Sequence, residues 1–346
     1  MNKHRALATI LCCVFAIVAP SCARQGRQPN ETPGRRVLAI GDLNWQQIAD
    51  FDRQKTVFLL TVGMLEEHGP HLPIAPDTIG VEHEARGVAD SLSNALPEWQ
   101  VVMMPTVHYG SSGVNQVGNV AVHPGTYGLR QSTLRSLVAD IGAQIAQNGF
   151  KWIFVLNGHG APTHHKAVND ACDFVSDSFG ATMLNISALF TADPTIQAEG
   201  ERITSRHFSV AEVQSFGIDQ HAGVSETSDV LAIRPDLVDP TYRSLPNQRV
   251  ENRTEMIETA SRRGWPGYFS SPAKATAAYG QEVEGWWIRG MSKLILEAVR
   301  GANLRSRPRW PEQLQTDSAY RQILEYSLAP ERAFDLQFQG WLDQRK

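Results

Sequence analysis

An α/β sandwich with a mostly parallel sheet is the fold class this sequence predicts. Three observations predict it. Short apolar runs of strand length recur along the body, amphipathic runs with helical spacing separate them, and Gly or Pro closes several of them. Thr56-Val57-Phe58-Leu59-Leu60-Thr61-Val62 reads as a buried strand. Val101 to Met104, ended by Pro105, reads as a second, Trp152 to Leu156 as a third, and Met183-Leu184-Asn185-Ile186 as a fourth. Between them, Leu134, Leu137, Val138, Ile141 and Ile145 fall on one helical face, and Gly149 stops that helix. Ala167, Ala171, Phe174 and Val175 form a second face before Gly180. Val283, Trp287, Met291, Leu294 and Ile295 form a third.

Composition narrows the class. The chain has 346 residues, 42% hydrophobic and 20% charged, with a formal net charge of −4. That excludes a disordered chain, a collagen-like fibre and a disulfide scaffold. No basic excess exists to neutralise phosphates, which argues against a nucleic-acid binder.

Residues 1–22 read as an export signal: Lys3, His4 and Arg5 precede an uncharged apolar run, Ala6 to Ala19, that is short for a membrane span. Ala19-Pro20-Ser21-Cys22 resembles a bacterial lipobox, although Leu usually fills its first position. Cleavage after Ala23 and an uncleaved anchor are the competing readings. Residues 23–36 read as a flexible tether, 37–300 as the main domain, and 301–346 as a helical extension for packing or subunit contact. An exported bacterial cell-envelope or periplasmic lipoprotein is therefore expected, associated with a membrane through lipid. Cys12, Cys13 and Cys22 lie in the leader, so Cys172 alone remains and no internal disulfide is possible.

Three segments concentrate residues that carry chemistry. The first leaves the strand ending at Val62: Gly63-Met64-Leu65-Glu66-Glu67-His68-Gly69-Pro70-His71, continuing to Asp77 at the expected start of a helix. In open α/β sheets, ligands bind at the carboxyl ends of strands. The second is Asn157-Gly158-His159-Gly160, directly after Leu156. The third, Asp219 to Ser228, reads as a polar loop holding His221 and Glu226. Singly, each has an ordinary structural reading: a hydrogen-bonded histidine, or a helix cap. Together they change the balance. Gathering Glu66, His68, Asp77, His159 and Glu226 in one cleft would bury three carboxylates, each costing on the order of several kcal/mol without a counter-charge. Two divalent ions balance three carboxylates and a hydroxide, and mixed His and carboxylate donors suit Zn²⁺ or Mn²⁺.

These motifs resemble the creatininase (creatinine amidohydrolase) family. Its Gly-x-x-Glu-Gln-His-Gly-Pro-His-Leu-Pro stretch and following Asp, its Asn-Gly-His-Gly and its His-Ala-Gly-x-x-Glu-Thr-Ser all occur here in order. Pro124-Gly125-Thr126 and the stretch Pro272 to Gly280 are similar to later landmarks. The resemblance implies a three-layer α/β/α sandwich, a homo-oligomer (usually a hexamer) and two divalent ions. It implies that Glu66 and His159 bind one ion and His68 the other, with Asp77 between them. Creatinine-cleaving members draw a further ligand from a Glu at the position of Ala161. Relatives lacking it look to use the Glu of Glu-Thr-Ser, here Glu226. His221 matches a histidine that shuttles protons. Glu67 replaces the usual Gln, Val224 replaces a common acid, and Gly110 to Val122 is longer than usual.

The expected activity is hydrolysis of a non-peptide, possibly cyclic, amide C–N bond. Such an ion would lower the pKa of a bound water to about 7, and the hydroxide so formed would attack the carbonyl. His221 hands a proton to the leaving nitrogen, a task suited to a histidine's ordinary pKa of about 6.5. Glu67 is a candidate base or a partner that orients the ligands. The absent Glu argues against creatinine and for another small-molecule amide. Hydrolysis of a formamide or a peptide tail on the same site, and an exported metal- or ligand-binding protein without catalysis, are the alternatives. His71 is read as a partner of the ligands, and His164 and His165 as surface residues, one of them a reserve donor. Trp286-Trp287 is read as core or interface, and Tyr109 as a candidate pocket wall. No Gly-x-Ser-x-Gly elbow surrounds Ser111 or Ser112, so a serine hydrolase is not expected.

Overall fold

Five parallel strands carry the fold: β1 Val37–Ala39, β2 Thr56–Val62, β3 Gln100–Met103, β4 Trp152–Asn157 and β5 Thr182–Asn185, in the spatial order β1-β3-β2-β4-β5. The computed structural model describes residues 37–113, 123–314 and 316–345. The leader, the tether and most of the segment Gly110 to Val122 lie outside them. Helices α1 Trp45–Ala49, α2 Pro76–Ala95, α3 Gln131–Gln147, α4 Pro162–Phe179, α5 Ile186–Ala192 and α6 Pro194–His207 follow in chain order. They are succeeded by α7 Val210–Phe216, α8 Val224–Ile233, α9 Arg253–Ala260, α10 Ala277–Val299 and α11 Ser318–Asp343.

The layers follow from strand periodicity, because successive side chains leave opposite faces of a sheet. Val57, Leu59, Phe154 and Leu156 pack against Val81, Ala85 and Val88 of α2 and Met291, Leu294 and Ile295 of α10. Phe58, Leu60, Ile153 and Val155 pack against Leu134 and Val138 of α3 and Val168, Ala171 and Val175 of α4. Helices cover both faces, so the sandwich has three layers. Both faces of β2 are buried, which is why its sequence is apolar without alternation. Among the described residues no helix is long and apolar enough to cross a membrane.

Some sequence expectations need correction. The fourth strand is Thr182–Asn185, and Ile186 opens α5 instead of closing the strand. Leu137 and Phe174 are exposed, because each lies at the solvent margin of its helix face. β1 and helices α5 to α9 were not anticipated. Asp219 to Ser228 is not all loop: α8 begins at Val224 and places Glu226 in its first turn.

The chain winds out to β3 on one side of β2 and to β4 and β5 on the other. The ends of β2 and β4 are neighbours at this reversal, with Val62 paired to Asn157. The segments leaving these two strands hold the first two motifs, as expected of a ligand site at a switch point.

Candidate metal centre

Backbone contacts set the first segment. Past β2, the Gly63 amide donates to the Val107 carbonyl at 2.9 Å, and the Glu66 amide to the Ile74 carbonyl at 2.8 Å. That return brings the chain to Pro76, whose fixed φ suits the first position of α2. Asp77 follows in the first turn, where unpaired amides favour a carboxylate.

Asp77 is the centre of the cluster. Its Oδ1 lies 3.3 Å from His68 Nε2, and its Oδ2 lies 3.1 Å from His159 Nδ1. Glu66 Oε2 stands 3.1 Å from His159 Nδ1, and Glu226 Oε2 stands 3.4 Å from His68 Nε2. Two overlapping triads result, Glu66–Asp77–His159 and His68–Asp77–Glu226, and each could hold one ion. His68 Nε2 and Asp77 Oδ2 are buried and make no hydrogen bond despite these approaches. Their lone pairs converge on shared points rather than on one another, as ligand atoms do.

Neighbouring groups set the histidine tautomers. His68 Nδ1 lies 3.0 Å from the Glu66 carbonyl, an acceptor, so that nitrogen carries a proton and Nε2 would be the atom to present a lone pair to a bound ion. Asn157 Nδ2 donates to the His159 carbonyl at 2.7 Å and bonds His165 Nε2 at 3.0 Å, bracing the turn after β4. A Cβ at Gly158 would collide with the Asp77 carbonyl oxygen, so only glycine lets β4 approach α2 closely enough to join His159 to Asp77. Gly158→Ala is expected to weaken metal binding by about 10- to 100-fold, as displaced supporting groups do. Competition with a chelating dye measures this, and an unchanged affinity would refute the close-approach role.

Charge in the ion-free cluster is balanced by protons. Burial lowers the His159 pKa, but Glu66 and Asp77 outweigh it and hold the group at about 10. His68 is likewise raised by Glu226 and Asp77 against its burial. Burial raises Asp77 and Glu226, but the histidine charges win and both lie below the ordinary carboxylate range. The raised histidines stabilise the fold fully below pH 6.5, and that stability is lost as pH rises toward 10. Glu84, pushed by burial to about 8, acts with the same sign. The ion-free protein should therefore lose about 5 °C of Tm per pH unit above neutrality if two protons are involved. A Tm that stays flat or rises between neutral and alkaline pH would contradict this charge arrangement.

Beside the triads sit His221 and Glu67. The His221 ring lies tilted against His68, with centroids 4.3 Å apart, and its Nε2 faces Glu67 Oε1 at 3.7 Å. Glu67 also accepts from the Gly69 amide at 3.1 Å. Burial raises Glu67, but the nearby His221 ring and the Gly69 amide outweigh it and hold the group below the ordinary glutamate value. Ala222, in the left-handed region at φ 49°, turns the chain from His221 toward α8, and its amide donates to Glu226 Oε2 at 2.5 Å.

Comparison with known proteins now bears on this arrangement. Residues 41–295 match the family described as Creatininase: Creatinine amidohydrolase. The chain belongs to the creatininase family. Among its relatives, the mycofactocin precursor peptide peptidase of Mycobacterium ulcerans strain Agy99 is 28% identical over 261 residues, covering 73% of this chain and 90% of that protein. The creatinine amidohydrolase of Pseudomonas putida is 26% identical over 278 residues, covering 75% of this chain and 96% of that one. A solved creatininase variant of Zn-Zn type superposes with a TM-score of 0.56 at 23% identity, over 75% of this chain and 98% of its own, and shares the fold.

Within this creatininase-family chain, all five expected donors and both expected catalytic residues meet in one cluster. Ala161 supplies no donor; it precedes α4 at that helix's N-cap. His164 and His165 are not surface residues but buried. His164 Nδ1 accepts from the Ser111 amide at 3.1 Å, and His165 joins the asparagine network. Burial holds both well below the ordinary histidine value, His165 at about 3, so both are neutral. His71 bonds Thr227 at 2.9 Å, away from the triads. Trp287 stacks on Phe190 at 3.8 Å, and Tyr109 is half exposed. Three supports escaped the sequence reading: Asp219, which accepts from the Val224 and Ser225 amides, Trp265 beside His221, and Gly267, where a Cβ would lie 2.5 Å from Glu67 Oε2.

Proposed function

We propose that this chain is a hydrolase of a non-creatinine amide C–N bond working on two divalent cations, Zn²⁺ or Mn²⁺. One observation carries the reading: Asp77 turns one carboxylate oxygen to each of two histidines, and each histidine is backed by a further carboxylate. The donors fit such ions, being two imidazoles and three carboxylates, with His68 Nε2 and Asp77 Oδ2 left without hydrogen bonds. Glu66, Asp77 and His159 would hold one ion; His68, Asp77 and Glu226 would hold the other. Glu226 thus supplies the donor that Ala161 lacks.

When bound, the ions supply Lewis acidity, which polarises a carbonyl and lets water ionise near neutral pH. The remaining work falls to the chain. Glu67 accepts from Gly69 and faces His221, so the carboxylate orients the imidazole. His221 then passes the proton of the attacking water to the departing nitrogen, leaving a carboxylic acid and a free amine. Trp265 packs beside this histidine and keeps bulk water from it.

The peptidase among the relatives favours an amide at a peptide tail as the substrate class. An exported lipoprotein anchored at Cys22 is supported by the leader, and a homo-oligomer by the exposed Phe334, Leu336, Phe338 and Trp341 on α11. The deciding experiment loads the protein with Zn²⁺ or Mn²⁺ and assays cyclic amides, formamides and C-terminal peptide amides. Two bound ions with turnover of one class, and creatinine inert, is the expected result. Two bound ions with no turnover in any class would leave a binding protein instead.

A further inference from the structure

A cavity of about 670 Å³ lies among α2, α6, α8 and α10, behind Asp77 and Glu226. Its described walls hold seven carboxylates and no Lys, Arg or His. Four of the seven are accounted for. Asp77 and Glu226 belong to the triads, Asp219 caps α8 through the Val224 and Ser225 amides, and Glu201 stands exposed at the rim. Glu84, Asp229 and Glu284 have no such role. They come from three different helices, so no local motif explains their meeting.

Glu284 is 4% exposed, and its Oε2, like Asp229 Oδ1, has no hydrogen-bond partner. A buried carboxylate without partner or counter-charge costs several kcal/mol, so a cation or a proton must compensate it. The trio does not form a compact ligand set of the kind seen at Asp77, which argues against a bare divalent ion. Tyr279, Trp286 and Trp287 add aromatic wall, which favours an organic cation. Gly80 leaves room for it: a Cβ there would meet only Glu284 Oε1, at 3.9 Å, so packing does not demand glycine in this helix.

We propose that this cavity binds an organic ammonium or guanidinium group through Glu84, Asp229 and Glu284. The group is either the charged tail of the amide substrate or a separate small amine. Binding itself stands without the hydrolase reading, because it can be measured on ion-free protein; only the assignment of the group to a substrate tail rests on that reading.

The test titrates putrescine, and butanediol as its uncharged counterpart, into the chain by calorimetry and thermal shift, with and without zinc. Putrescine should bind and raise Tm while butanediol does neither. Glu284→Gln and Glu84→Gln should each weaken binding by about tenfold or more, the scale of a lost charged hydrogen bond. Gly80→Leu should block the cavity and abolish binding with the helical content unchanged. Absence of putrescine binding, equal binding of butanediol, or affinity unchanged in the Gln variants would overturn the proposal. So would Gln variants that only gain stability, since the trio would then be neutral structural acids. N-acetylputrescine separates the two sources. Its zinc-dependent hydrolysis with a KM raised by Glu284→Gln identifies a substrate tail, whereas putrescine binding that leaves amide hydrolysis uninhibited identifies a separate ligand.

Discussion

Asp77→Ala is expected to empty the site and stop the reaction. Asp77 is the member common to both triads, so its removal leaves His159 with Glu66 and His68 with Glu226, two donors for each ion. Zinc sites keep at least three protein ligands, so neither remnant suffices. Losing Lewis-acid stabilisation of several kcal/mol lowers kcat by about 10³-fold or more. Elemental analysis should show metal falling from two ions toward none. The variant removes a partner of both raised histidines and should lose stability, so circular dichroism establishes its fold before the metal is counted. Asp77→Ala protein that keeps both ions and its rate would overturn the assignment of this residue and of the site.

Why Asp77 was legible in the sequence, and other groups were not, follows from where the determining contacts lie. β2 is seven successive buried residues, a signal carried by adjacent positions. Glu66, His68 and His159 stand in Gly- and Pro-rich segments just past strands, so chain order alone brings them to one end of the sheet. Asp77 sits behind a proline at a helix start, also a local cue. His164 and His165 read as surface because a polar pair opens α4. Their burial comes from β4 and from Gly110, where a Cβ would lie 2.6 Å from His164, a non-local fact. The start of α8 was hidden for a related reason: its cap, Asp219, acts from five residues before Val224 and not from the residue preceding the helix. Glu84 gave a faint signal, an acid among Val81, Ala85 and Val88, but nothing local tells that Asp229 and Glu284 face the same cavity.

His221 poses the sharper question, because it too groups with Glu66 and His68 as a possible ligand set. Distances favour the proton-transfer role. His221 Nδ1 stands 3.9 Å from Glu66 Oε1, whereas the His68 and His159 nitrogens stand 3.3 and 3.1 Å from Asp77. Its other nitrogen is turned to Glu67, outside both triads. His221→Ala should therefore retain two ions and lower kcat by about 10²- to 10⁴-fold, the usual worth of a positioned acid. Glu67→Gln should lower kcat less, because it orients the acid without being it. The leaving group provides the decisive readout. An anilide that departs without needing a proton should lose little in the His221→Ala protein, while an alkyl amide should lose the full factor. Equal losses on both substrates, accompanied by loss of an ion, would make His221 a ligand and remove the acid from the mechanism.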